Sequence, residues 1–456
     1  MRYAKGLTSK KNGGIMLEPQ KEAEFEQGIH QENFVINIVP DRRYQTVLGF
    51  GGAFTETSAY NFSKMSDTSK KKIIEAYFDK DKGLGYNFCR THIHSCDFSL
   101  SRYTYVEEND EELATFSIDR DHEYIIPFIR AAQDAAEDLW LFASPWSPPA
   151  WMKSNNDICH GGRLLEKYYG TWAEYMAKYA GEYQKAGIPL FGMSVQNEAA
   201  AWQTWESCLY TAREEAVFVH EHLRPALNRA GFPDLNIMIW DHNKERVYER
   251  MRDSFSVPGA AEDIWGVAFH WYSGDHFEGL DMAREAFPDK PLVLSEFCVG
   301  GMRKGEIIGP HSNWNSVELY AHEMIGNFNH HMAASVDWNM VVDEEGGPYH
   351  DREGGCKAQI VVDPASDTVS IEPVYYCVAH FSKFIRRGAV RVGSSSFSED
   401  VKAAAFENPD GELVLVVLSR ARKTQEVFLR LDGGTAKVKL PAHSLTTFVI
   451  PPETEE

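Results

Sequence analysis

Short apolar runs recur along the chain, and each stops on polar residues. The run 190–195 ends in Gln196, Asn197 and Glu198, and the run that begins at Pro291 ends in Ser295 and Glu296. An apolar run too short for a helix, closed by polar groups, is the pattern of a strand covered on both faces. Eight such runs occur, at 47–54, 86–92, 139–146, 190–198, 235–241, 264–272, 292–297 and 333–339. Helix-period segments lie between them, near 67–78, 121–137, 168–187, 211–230, 244–255, 278–287 and 314–329, and one more near 374–385 follows the last. This alternation predicts a parallel sheet with helical crossovers, and eight repeats predict an α/β fold of the closed (β/α)8 TIM barrel type over 45–387. A doubly wound open sheet would more naturally show a phosphate-cradling glycine turn, and Gly49-Phe-Gly-Gly52 matches that turn poorly.

After about residue 388 the period shortens. Runs at 390–393, 401–406, 413–418, 425–431, 436–440 and 445–450 are separated by the turn signals Asn408-Pro-Asp-Gly411 and Asp432-Gly-Gly434. They predict a side β-sandwich over 388–456. Residues 1–30 show no sustained period. The alternating run 33–39 has no barrel partner, so the segment 1–44 is expected to give one strand to the sandwich.

Composition narrows the partners. The 456 residues are 43% hydrophobic and 25% charged, with a net charge of −21. Such a surface repels nucleic acid and anionic lipid, so neither is an expected partner. No apolar run approaches the roughly 18 residues of a membrane span. The basic N-terminus has no apolar segment behind it, which reads as a cytoplasmic protein. Seven cysteines without CxxC spacing read as free thiols, with no disulfide framework and no zinc knuckle.

In a (β/α)8 barrel, chemistry gathers at the C-terminal ends of the strands. Those ends carry Arg90, His92 and His94 with Asp97 beyond; Trp146; Asn197 and Glu198; Asp241 and His242; His270 and Tyr272; Glu296; and Asp337, Trp338 and Asn339. Aromatics, carboxylates and amides together suit sugar rings and hydroxyls. Glu198 and Glu296 end the fourth and seventh strands, across the barrel mouth. A carboxylate pair there can approach to about 5–5.5 Å, the spacing for glycoside hydrolysis with retention. One must stay protonated and the other ionised, so their surroundings must differ. Arg90 can keep one ionised through a charge-assisted hydrogen bond. A metal-dependent amidohydrolase layout fits His92, His94, His242, His270 and Asp337. Its HxH motif, however, belongs after the first strand, and here it follows the second. A Schiff-base aldolase lacks its strand-end lysine.

At these residues the chain resembles a known family. Gly49-Phe-Gly-Gly-Ala-Phe-Thr-Glu56, Arg90 with Ser95-Cys-Asp-Phe-Ser-Leu100, Ala143-Ser-Pro-Trp-Ser-Pro-Pro-Ala-Trp-Met-Lys153, Gln196-Asn-Glu198, His270-Trp-Tyr272, Ser295-Glu296, Asp337-Trp-Asn339 and His380-Phe-Ser-Lys-Phe-Ile385 resemble glycoside hydrolase family 30, the glucosylceramidase-like retaining β-glycosidases. The resemblance implies hydrolysis of β-D-glucosides or close relatives, with β-1,6-glucanase or β-xylosidase as alternatives, and no cofactor or metal. It implies Glu198 as acid/base and Glu296 as nucleophile. Asp97, Trp146, Asn197 and Trp338 are the implied sugar ligands, and Arg90, Tyr272 and His270 the implied supports of the nucleophile. Ala199 departs from the family's usual proline. The loop it opens, 199–207, brings Trp202 and Trp205, expected on the aglycone side.

Overall fold

Eight parallel strands close into a barrel in chain order: Gly49–Phe54, Phe88–Ile93, Trp140–Pro145, Gly192–Ser194, Asn236–Asn243, Gly266–His270, Leu292–Glu296 and Met332–Asn339. The computed structural model describes residues 2–12, 16–28, 31–299, 312–352 and 354–452. Each barrel strand falls on one of the eight predicted runs. The fourth, at three residues, is the shortest, and the chain beyond it stays tied to the neighbouring strands. Asn197 N–H donates to Pro145 O at 2.8 Å, Glu198 N–H to Asp241 O at 2.8 Å, and Glu198 adopts a left-handed φ of 50°.

Side chains two positions apart share a strand face, and this periodicity layers the barrel interior. Phe88, Phe142, Met238, Ala268, Val293 and Val336 form one buried apolar cluster. Two residues further along their strands stand Arg90, Ser144, His270 and Ser295, all buried. Ser194 and Asp241 complete this polar tier beneath the mouth.

The helix near 67–78 runs as Asp67–Phe78, capped by Ser66, whose hydroxyl accepts from Ser69 N–H at 3.3 Å. A helix at Glu56–Lys64 had no prediction. Its buried face carries Thr57, Ser58 and Asn61, so it shows no apolar stripe. A small sheet of Val341–Asp343, Ile360–Asp363 and Thr368–Ile371 also escaped the periodicity, its strands being only three or four residues long. Between its first two strands the chain loops back to the mouth.

The side sheet takes more of the N-terminal segment than the one predicted strand. Val35–Thr46 pairs with Val390–Ser395 and Gln425–Leu431, and runs through residue 45. Tyr3–Lys10, in the stretch that shows no sustained period, pairs antiparallel with Ser444–Ile450. Its buried positions include Ala4, Gly6 and Thr8, small residues that give no hydrophobic alternation. The Asp432-Gly433 signal is a two-residue hairpin turn joining Leu431 to Gly434, with both φ angles positive, 48° and 79°. Helix Pro373–Ser382 ties barrel to sandwich: His380 bonds Thr447 through Nδ1 and Ser9 through Nε2, both at 2.9 Å.

Candidate active site

The mouth is built on a buried charge network. Arg90, fully buried, donates Nη2 to Asp241 Oδ2 and to Asn197 Oδ1, both at 2.8 Å, and Nη1 to Glu296 Oε2 at 2.7 Å. Asp241 also accepts from the hydroxyls of Ser144, Ser194 and Ser295 and faces His270 Nε2 at 3.1 Å. Burial pushes its carboxyl up, but Arg90 and these donors outweigh burial and hold it well below the usual carboxylate range. Asp241 and Trp240 both take left-handed φ, 45° and 74°, without being glycine. The hydrogen bonds around Asp241 offset that strain.

The two glutamates have different surroundings. Glu296 receives Arg90 on one oxygen and Tyr272 Oη on the other, at 2.8 Å. Glu198 receives Gln203 Nε2 at 3.1 Å and faces two imidazoles, with His270 Nδ1 3.5 Å and His242 Nδ1 3.7 Å from Oε1. Burial raises Glu198, but His270, His242 and Gln203 bring it down to about 2. Burial lowers His270, yet Glu296, Asp241 and Glu198 carry it up to about 9. In the free protein the proton of this pair therefore sits on the imidazole. His270 lies beside Glu296 on the neighbouring strand, and its ring nitrogens face Asp241 and Glu198.

Both glutamates open onto one cavity of about 190 Å³, with Asp97, Trp146, Asn197, Trp205 and Trp338 around it. Asn197 spends its Oδ1 on Arg90, which leaves its Nδ2 as a donor for a ligand. The rings of Trp146 and Trp338 stack at 5.3 Å, and the Arg90 guanidinium lies 4.8 Å over Trp146. Asp97 takes Nη1 of Arg352 at 2.6 Å; burial, only partly countered by Arg352, lifts its carboxyl to about 6. Trp202 does not join this wall. It is 60% exposed and its ring meets His160 at 5.1 Å, because the loop after Glu198 turns one tryptophan inward and the other out.

Four cavity residues carried no sequence signal: Gln203 and Arg352 lie on loops, Asn243 ends the fifth strand beyond its predicted run, and Cys298 was one of seven undistinguished thiols. The amidohydrolase layout does not assemble. His92 Nε2 accepts from Glu56 N–H at 2.9 Å and its Nδ1 bonds His94 O. His94 is spent on Tyr175 and Ser147, and Asp337 on Gln359 and Tyr320.

A (β/α)8 barrel whose mouth holds two glutamates in unlike surroundings, walled by tryptophans and amides, is the arrangement of a glycoside hydrolase. Residues 47–385 match the glycosyl hydrolase family 30 TIM-barrel domain, and residues 388–448 match the family 30 beta sandwich domain. The crystal structure of SrfJ from Salmonella typhimurium superposes with a TM-score of 0.94 at 34% identity, covering 99% of this chain and 100% of that one. The lysosomal acid glucosylceramidase of Mus musculus is 31% identical over 433 residues, 91% of this chain and 83% of its own. An endo-1,6-beta-D-glucanase of Neurospora crassa is 25% identical over 439 residues, 91% of this chain and 88% of its own. The chain belongs to glycosyl hydrolase family 30 and is a β-glycosidase, so its substrate is a saccharide or glycoside. Among the described residues no helix is long and apolar enough to cross a membrane.

Proposed function

We propose that the protein hydrolyses β-D-glucosides one sugar at a time, by double displacement, with Glu296 as nucleophile and Glu198 as acid/base. The observation that carries the reading is that two unlike glutamates share one small cavity. Glu296 is gripped on both oxygens by donors, which fixes its orientation for attack on the anomeric carbon. Glu198 faces the His270 imidazolium and a side amide; it takes the imidazolium proton and hands it to the leaving oxygen. Attack gives a glycosyl-Glu296 ester. Glu198, now ionised, takes a proton from water, whose oxygen releases the sugar. At about 190 Å³ the cavity is smaller than the roughly 300–1,000 Å³ usual for ligand clefts, which supports one sugar ring bound at a time. Asp97, Asn197, Trp146 and Trp338 would hold that ring. The seven cysteines, all buried and unpaired, suit a reducing, cytoplasmic setting and a small diffusible glycoside.

Azide tests the assignment. Glu198→Ala should regain turnover of an activated aryl β-glucoside with added azide and yield the β-glucosyl azide. Glu296→Ala should yield the α-azide. Full activity in either variant would overturn the roles. A panel of aryl β-glucoside, β-xyloside, gentiobiose and β-1,6-glucan tests the sugar and the exo action; turnover of polymer in preference to the small glucoside would overturn both.

A further inference from the structure

His242 and His270 point their Nδ1 atoms at one oxygen of Glu198, and neither nitrogen has a hydrogen-bond partner, although both are shielded from solvent. Unpartnered buried ring nitrogens are uncommon and invite a ligand. The three residues each present a donor atom within 4.8 Å of the other two. The carboxylate–imidazole separations of 3.5 and 3.7 Å are close to the donor–donor edge of about 3.3 Å in a tetrahedral site with bonds of about 2.0–2.1 Å. We propose that Glu198, His242 and His270 form an inhibitory site for a divalent ion of the zinc type, which switches the glycosidase off by capturing its acid/base carboxylate.

The donor set, two imidazoles and a carboxylate, is one that zinc, copper and nickel favour over magnesium or calcium. His270 is held in orientation and becomes a ligand once the ion displaces the proton from its Nδ1. Its Nε2 faces Asp241 Oδ1 at 3.1 Å, and a carboxylate behind the far nitrogen fixes the near one as the metal-binding atom. Asp241 is itself held by Arg90 and three serines, so the relay is rigid. The open cavity leaves the fourth position to water. A metal seated there takes Oε1 and neutralises the carboxylate, so Glu198 can no longer hold the proton that it must hand on. The ion thus acts against catalysis, unlike the catalytic metal of an amidohydrolase layout. That consequence rests on the acid/base role proposed for Glu198; the metal site itself does not.

The test uses the full chain, stripped of metal by chelation and dialysis, with Zn²⁺ alone as probe. Equilibrium dialysis should give one saturable Zn²⁺ per chain. Zn²⁺ should abolish hydrolysis of an aryl β-glucoside, and chelator should restore it. His242→Ala should weaken Zn²⁺ binding by about tenfold or more, since even a lost supporting partner costs about 10–100-fold. The near-isosteric Glu198→Gln, read by dialysis alone, should weaken it likewise. His160→Ala, at an exposed histidine paired with Asp157, should not. No saturable Zn²⁺, or unchanged binding in both site variants, overturns the proposal, as does hydrolysis indifferent to bound Zn²⁺. Saturable binding lost in both variants of a protein that hydrolyses no glycoside upholds the metal site and overturns the glycosidase assignment instead.

Discussion

Arg90 and Asp241 form an ion pair with no solvent access on either side, 2.8 Å apart, directly beneath the Glu296 carboxylate. Removing two charges from water costs several kcal/mol each, and the pair persists because its remaining donors and acceptors are used. Asp241 takes three serine hydroxyls and a histidine, while Arg90 reaches Ser144, Asn197 and Glu296. One rigid guanidinium therefore sets the position of Glu296, of a proposed sugar-binding amide and of the aspartate behind His270.

Arg90→Lys keeps the charge but cannot bridge three partners, because an ammonium on a flexible stem lacks the planar fork. We expect kcat to fall about 10²–10³-fold, the scale of losing one oriented electrostatic contact at a reacting centre. Steady-state kinetics on an aryl β-glucoside check this, with circular dichroism to establish folding. A loss under threefold would mean that Glu296 is oriented without Arg90.

Strand ends were legible because their neighbours are apolar and short, so Arg90, Asn197, Glu198, Glu296 and Trp338 could be read from the sequence. Their pairings were not. Nothing in the spacing of Arg90 and Asp241 says that they meet, since barrel closure brings the second and fifth strands together. Arg352 lies on a loop beyond the eighth strand with no period to mark it. The left-handed backbone at Glu198 also left no sign, as that position carries neither glycine nor a short Asn or Asp side chain. The strand Tyr3–Lys10 packs small residues, and hydrophobic alternation cannot report those.

The two tryptophans after Glu198 should separate in kinetics. Trp205 lines the cavity, with the Arg352 guanidinium 5.5 Å over its ring, while Trp202 stands out in solvent. Trp205→Ala should lower kcat/KM for an aryl β-glucoside by about 10-fold or more, consistent with about 1.5–3 kcal/mol of lost aromatic contact. Trp202→Ala should change it less than about twofold, as an exposed surface substitution does. Equal effects would place both rings on the substrate path.

Asp121 gives a stability signature. It is buried and accepts hydroxyls from Tyr103, Tyr105 and Tyr183. Burial outweighs those donors and pushes its carboxyl up to about 7, against about 3.9 in an unfolded chain. Between those values the folded protein holds a proton that the unfolded chain has released, so this group's contribution is full below about pH 4 and is lost as pH rises through 7. The stability of the wild type relative to Asp121→Asn should therefore decline from pH 4.5 to 7.5 in urea unfolding. A difference that grows over that range would contradict the assignment.

His380 predicts the opposite slope. Burial holds its imidazole down at about 3, so it is neutral in the folded protein. Thr447 Oγ1 donates to His380 O at 2.7 Å, which leaves that oxygen to accept from Nδ1–H, while Nε2 accepts from Ser9. One neutral tautomer thus ties an N-terminal strand and a C-terminal strand to the barrel's last helix. His380→Ala leaves the buried Ser9 and Thr447 hydroxyls short of a partner and opens a cavity, which should cost about 2–5 kcal/mol at pH 7. As pH falls below about 6.5 the unfolded histidine takes a proton that the folded one refuses, so the wild type loses this contribution progressively toward pH 3. The gap between wild type and His380→Ala should accordingly narrow from pH 7 to pH 5, where the Asp121 gap widens. KM should stay unchanged, because the junction lies away from the cavity. Measuring both variants by urea unfolding at the two pH values separates the two effects, and slopes of the same sign would show that one of these buried groups carries the opposite charge state.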